Sequence, residues 1–206
     1  MNEKVCNPGR RNGGPGFLFL TILVLAGCGQ ISAFDNEGMV LGVARSSSQN
    51  SSAKEKSQLA AEANALKLLQ LCHGGEFLIE VLRNGAISAT LQTESEMSGV
   101  VSSRLQGADG YSFVMYNMPK ADRIPDKYGK NKPEMTTVSG DAENIIHLIL
   151  DTITQRGSRM LKENGTSHDS IYVEVKKPLF KIKETPPTFR LELLMWIGNQ
   201  PNQKLN

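Results

Sequence analysis

Ala53-Lys54-Glu55-Lys56-Ser57-Gln58-Leu59-Ala60-Ala61-Glu62-Ala63-Asn64-Ala65-Leu66-Lys67-Leu68-Leu69-Gln70-Leu71-Cys72-His73, followed at once by Gly74-Gly75-Glu76-Phe77-Leu78-Ile79-Glu80-Val81-Leu82, decides the fold. The first part has no Gly or Pro and is rich in Ala, Leu, Lys, Glu and Gln, so it reads as a helix over 53–73. Leu59, Ala63, Leu66 and Leu69, extended by Cys72 or His73, recur every three or four residues and predict its apolar face. Ala60, Ala61, Ala63 and Ala65 would let the helix lie close to a neighbour. The serine-rich run 46–52 supplies N-caps, and Gly74-Gly75 ends the helix. Phe77 to Leu82 is strand-like, and Asn84-Gly85 is a two-residue hairpin turn returning through Ala86 to Leu91.

Working outward, Met39 to Ala44 reads as a first strand. Val100 to Leu105 and Tyr111 to Tyr116 flank the turn Gly107-Ala108-Asp109-Gly110 as a second hairpin. Pro119, Pro125 and Pro133 mark 119–134 as a loop, and an internal boundary is placed within 119–139. A second helix is expected over 141–163, capped by Asp141, with Ala142, Ile146, Ile149, Ile153 and Met160 as its stripe. Gly157 interrupts that stripe and marks a kink or a close contact. Ile171 to Lys176 and Phe189 to Leu193 alternate as strands, separated by Pro186-Pro187. Runs of strands between two helices predict an α+β fold, two main helices packed on a largely antiparallel sheet, within one domain over 39–198.

The N-terminus carries a second signal. Lys4, Arg10 and Arg11 form a basic leader, interrupted by Glu3, and residues 17–25 form an uncharged apolar segment too short to span a membrane. Leu25-Ala26-Gly27-Cys28 then reads as a lipobox, with cleavage between Gly27 and Cys28 and lipid attached to Cys28. This predicts a signal peptide over 1–27, a tether over 28–38 and a flexible tail over 199–206. The chain has 23 basic and 21 acidic residues, and removing the leader leaves a formally neutral protein. Neutrality argues against nucleic acid as a partner. The expected partners are the membrane, through the lipid, and an envelope protein or a second copy. Gly29 rather than Asp after the cysteine resembles the sorting signal of outer-membrane lipoproteins, so the expected location is the cell envelope, on the periplasmic face of the outer membrane where the source has two.

Over 42–116, the Ala60-Ala61-Glu62-Ala63-Asn64-Ala65-Leu66 helix followed by Gly-bounded strands resembles a family of small bacterial envelope lipoproteins, the group that includes the flagellar assembly proteins P and T. The resemblance covers less than half of the mature chain and implies a non-enzymatic protein attached around a larger outer-membrane assembly. Residues 119–206 carry no part of it.

For chemistry, Cys72 and His73 stand out, because a thiolate nucleophile needs a base. Neighbours on a helix point about 100 degrees apart, and Cys72 extends the apolar stripe, so it reads as a buried structural thiol. The alternative is an envelope hydrolase or transferase using Cys72 with His73, His147 or His168 as base. Glu143, His147 and Asp151, spaced by four, share a helical face where carboxylates would raise the imidazole pKa or help to hold a metal, with His168 as a further ligand. A solvated face accounts for the same spacing, and no metal or cofactor is expected. Lys127, Lys130 and Lys132, and Lys176, Lys177, Lys181 and Lys183, form two basic clusters, read as solubilising side chains or as contacts to anionic polymers. Phosphate-binding Gly-Lys-Ser/Thr loops, Gly-x-Ser-x-Gly, His-Glu-x-x-His and CxxC are absent from the sequence. The expected function is a non-catalytic, lipid-anchored binding or assembly module.

Overall fold

The computed structural model describes residues 39–92, 102–117, 124–129 and 131–198. The leader, Gly27 and Cys28, the 28–38 tether and the 199–206 tail lie outside the described residues. Within them the chain is mixed α/β with two sheets, every strand pairing being antiparallel. The elements are β1 (Met39–Arg45), α1 (Ser51–His73), β2 (Gly75–Val81), β3 (Ile87–Leu91), β4 (Ser102–Gln106), β5 (Tyr111–Asn117), α2 (Asp126–Gly129), β6 (Glu134–Asp141), α3 (Ile145–Glu163), β7 (His168–Lys181) and β8 (Thr188–Ile197). The strands divide into a three-stranded sheet, β1-β5-β4, and a five-stranded sheet, β3-β2-β7-β8-β6. This corrects the expectation of a single sheet. The two hairpins fall in different sheets: β2 pairs with β7, whereas β5 pairs with β1.

α1 lies along β1 and β5 and also reaches β7 and α3, so one helix touches both sheets. Asn50 caps it, its side-chain oxygen accepting from Ala53 N at 2.8 Å. Its buried face is Ser57, Ala61, Ala65, Leu68, Leu69, Leu71 and Cys72. The predicted face is therefore wrong at its start: Leu59 is 58% exposed and Ala63 is exposed. The reason is distance. A Cβ placed on Gly42 of β1 would sit 1.9 Å from the Ala61 carbonyl oxygen and 2.7 Å from the Ala65 Cβ. Helix and strand approach backbone to backbone, and only small residues fit between them. Further along the same contact, the Ser57 and Ser112 hydroxyls meet at 2.7 Å, a buried hydrogen bond between α1 and β5.

β6 begins where the expected loop 119–134 ends and fills the rest of the stretch in which an internal boundary is expected, 119–139; it pairs along its length with β8. Its Thr136-Thr137-Val138 core is β-branched and suits a strand, but Pro133 and the polar residues around it masked that signal. The second helix also starts later than expected. A 3-10 turn, Ala142–Asn144, precedes α3, and Asp141 makes no side-chain capping bond. Ile145, Ile149, Ile153, Gly157, Met160 and Leu161 line its buried face, while Ile146 is half-buried. Gly157 marks a close contact, since a Cβ there would lie 3.0 Å from Ile171 and 3.1 Å from Ile79. The opposite face of the five-stranded sheet carries a smaller aromatic cluster. Tyr128 of α2 stacks on Tyr172 at 5.6 Å between ring centroids, and Tyr172 packs on Trp196 at 5.7 Å.

Three substitutions test this packing. Gly42→Val is expected to cost about 3 kcal/mol or more, the upper end of overpacking, because its methyls meet backbone atoms. Leu59→Ala is expected to stay within about 0.5 kcal/mol of wild type, whereas Leu69→Ala loses about 2–5 kcal/mol. Urea unfolding followed by far-UV circular dichroism measures all three.

Candidate functional site

Cys72 sits on the last turn of α1 and is fully buried. Its thiol is pushed up to about 12, first by burial and then by the Glu174 carboxylate, with Lys176 pulling the other way. Such a thiol is protonated at neutral pH, and the thiolate is the nucleophilic form. Glu174 itself is buried on β7 and forms an ion pair with Lys176. His73 follows Cys72 and is half-buried, and its backbone carbonyl accepts from the Tyr172 hydroxyl at 3.4 Å. The buried sulfur and the exposed imidazoles of His147 and His168 do not share one accessible surface.

Glu143, His147 and Asp151 are not brought together as a ligand set. His147 Nε2 lies 3.3 Å from Asp151 Oδ2, with the His147 side chain 76% exposed. Glu143, on the 3-10 turn, instead accepts the backbone N–H of Arg45 at 3.2 Å through Oε1. His168 opens β7 opposite Glu80 of β2. Among the described residues, no group of three or more His, Cys, Asp or Glu is arranged to hold a metal ion.

The basic clusters are largely balanced by carboxylates. Lys127 pairs with Glu76 at 2.6 Å, Lys177 with Glu192 at 3.3 Å and Lys181 with Glu184 at 3.1 Å, while Lys176 pairs with Glu174. Lys132 is exposed, and Lys130 lies outside the described residues. At Glu76, burial acts to raise the carboxyl, but the hydrogen bond and charge of Lys127, with the Ser170 and Tyr128 side chains beside it, outweigh burial and hold the group below its usual range. The same contact works in reverse on Tyr128, whose phenol is raised first by burial and then by the Glu76 charge.

One concavity was not legible in the sequence. A cleft of about 420 Å³ opens at the start of α1, lined by Arg45, Ser48, Asn50, Lys56, Ser57 and Ala60 among others. The serine run signalled only a helix cap. Arg45 leaves β1 on one side and Lys56 leaves α1 on the other, so folding alone brings the two cations to one rim. The Arg45 guanidinium also lies 5.5 Å from the centroid of the Tyr111 ring, a cation–π contact. Compared with protein-family models, curated proteins and solved structures, the chain matches none.

The Cys72 environment makes two measurements informative. A thiol probe at pH 7.5 is expected to label Cys72 at a rate set by unfolding, and within minutes once the protein is denatured. The unfolded thiol loses its proton near 9 and the folded thiol near 12. Over that interval the unfolded state binds fewer protons, so stability falls as pH rises. Cys72→Ala is expected to flatten this fall by up to about 1.4 kcal/mol per pH unit. Fast labelling of the folded protein, or an unchanged slope, would contradict the burial of the sulfur.

Proposed function

We propose that this chain is the precursor of a lipid-anchored cell-envelope protein, and that its α/β body acts as a binding or assembly module with no chemistry of its own. The observation that carries the reading is Leu25-Ala26-Gly27-Cys28 behind a basic leader and a short apolar core. In this reading the chain is cut between Gly27 and Cys28, and Cys28 carries the lipid. Gly29 favours the outer membrane in a cell with two membranes, with the body on its periplasmic face.

Several observations are in keeping with it. Among the described residues, no helix is long and apolar enough to cross a membrane, so attachment would fall to the lipid. The first described strand starts at Met39, which in this reading leaves residues 28–38 as the tether between the anchor and the body. The carboxylate pairing of Lys127, Lys176, Lys177 and Lys181 leaves a mixed surface better suited to a protein partner than to a uniformly anionic one. The likeness to the small outer-membrane lipoproteins that include the flagellar assembly proteins P and T gives the module its proposed class, a non-enzymatic component of an outer-membrane complex.

The intact mass of the mature protein from bacterial membranes tests the reading, with and without the lipoprotein peptidase inhibitor globomycin. The expected result is a diacylated or triacylated Cys28, with precursor accumulating under the inhibitor. Cys28→Ala is expected to abolish the lipid mass and leave an uncleaved precursor. An unmodified chain retaining Met1 in the soluble fraction would overturn the proposal.

A further inference from the structure

Among the described residues the five-stranded sheet ends at β6, and no strand pairs with the outward side of that strand. Its register with β8 places Asp141 opposite Thr188, and one residue further the Ala142 N–H donates to the Pro187 carbonyl at 2.8 Å. Even-numbered residues therefore turn their backbone groups toward β8. By alternation, the N–H and C=O groups of Met135, Thr137, Ser139 and Asp141 point away from the sheet. Among the described residues, none of these groups has a hydrogen-bonding partner.

The edge of the other sheet shows what a protected strand looks like here. On β1, the outward Val43 carbonyl accepts from Asn64 Nδ2 at 3.1 Å, and the outward Arg45 N–H donates to Glu143 Oε1. β6 has little of the usual edge protection, its only charges, Glu134 and Asp141, lying at its two ends. It contains no Lys, Arg or Pro, it carries consecutive β-branched residues, and Met135 is 64% exposed. At eight residues it is also longer than the edge strands β3 and β4, which have five each.

We propose that β6 pairs antiparallel with β6 of a second copy, joining two five-stranded sheets into one continuous sheet. Two constraints point to a second copy of this chain. The first is charge. β6 is preceded by Lys132 and ends at Asp141, with Glu143 just beyond, and all three are exposed. Antiparallel pairing lays the basic flank of each copy beside the acidic flank of the other, at both ends of the contact. Glu134, the acidic residue on the basic side, already lies 3.4 Å from Arg156 of its own α3.

The second constraint is register. Cross-strand partners share a face of the sheet, so the two-fold axis must pass through a residue position rather than between two residues. With Val138 on the axis, Met135 lies opposite Asp141 of the second copy and Thr137 lies opposite its Ser139. Every outward N–H and C=O then meets a partner. Moving the axis to Thr137 would set Asp141 against Pro133, which has no N–H to give. The pairing does not depend on the lipid anchor.

Sedimentation equilibrium of the full-length protein in mild detergent tests the proposal. The wild type is expected to dimerise, and Thr137→Pro to weaken the dimer at least about tenfold while keeping the wild-type circular dichroism, since proline is tolerated where a strand N–H faces outward. Thr137→Lys, which retains every backbone group, is expected to weaken it in the same direction and covers the case in which the proline variant does not fold. Register is read by oxidative cross-linking of differently tagged copies. Thr137→Cys with Ser139→Cys should form the heterodimer, and Met135→Cys in both copies should not, because those residues lie far from the axis. A wild-type monomer up to about 50 µM, where a dimer of micromolar Kd would be mostly formed, would overturn the proposal. So would a dimer unaffected by either Thr137 substitution, or cross-links that ignore the register.

Discussion

The contact between Gly42 of β1 and the Ala61–Ala65 turn of α1 is the constraint on which the remaining structure depends. With 1.9 Å between an imagined Gly42 Cβ and the Ala61 carbonyl oxygen, no side chain fits in the gap, and the helix seats on the strand backbone. That seating sets the rotation of α1. Ser57 then meets Ser112 on β5, Glu62 meets Arg104 on β4 at 2.7 Å, and Leu68, Leu69 and Cys72 turn into the core. Because α1 also touches β7 and α3, its position relates the three-stranded sheet to the five-stranded one. Gly74, at φ 101°, then turns the chain directly into β2 beneath the Tyr172 hydroxyl.

The two faces of the five-stranded sheet are used differently. α3 covers one with Ile149, Ile153 and a glycine that brings it close to Ile79 and Ile171. The other is covered near one end by Tyr128, Tyr172 and Trp196, and elsewhere carries charge: Glu174 with Lys176, and Glu192 with Lys177. A bulge between Lys176 and Leu179, with Lys177 at φ 46°, shifts the register of β7 beside those pairs. The buried Glu174 is tolerated because Lys176 neutralises it. The same carboxylate, with burial, keeps the Cys72 thiol protonated. A residue that looks chemically distinctive in one dimension is thus a packing residue in three.

Lysines show the converse. Two basic clusters in the chain become a set of local ion pairs: Glu174 and Glu184 are close sequence neighbours of Lys176 and Lys181, whereas folding brings Glu76 beside Lys127 and Glu192 beside Lys177. Glu143 and His147, which share a helical spacing on paper, separate in the fold. The 3-10 turn 142–144 takes Glu143 out of the α3 repeat, and its carboxylate caps the edge of β1 instead.

Local rules determined much of the chain. Helix formers bounded by Gly74-Gly75, Asn84-Gly85 between two apolar runs, and alternation around 171–176 and 189–193 locate α1, the β2–β3 hairpin, β7 and β8, since each signal lies within a few neighbouring residues. The lipobox reading is likewise a property of the sequence alone. Long-range packing decided the rest. Which side of α1 is buried depended on a glycine some twenty residues away, which admits Ala61 and Ala65 and leaves Leu59 in solvent. β6 became a strand because β8 offered it an edge, against a proline-rich surround that argued for a loop. The division into two sheets and the cleft between Arg45 and Lys56 arise from chain segments that meet only after folding, and no local periodicity encodes such meetings; the burial of Cys72, by contrast, followed from the apolar stripe of α1.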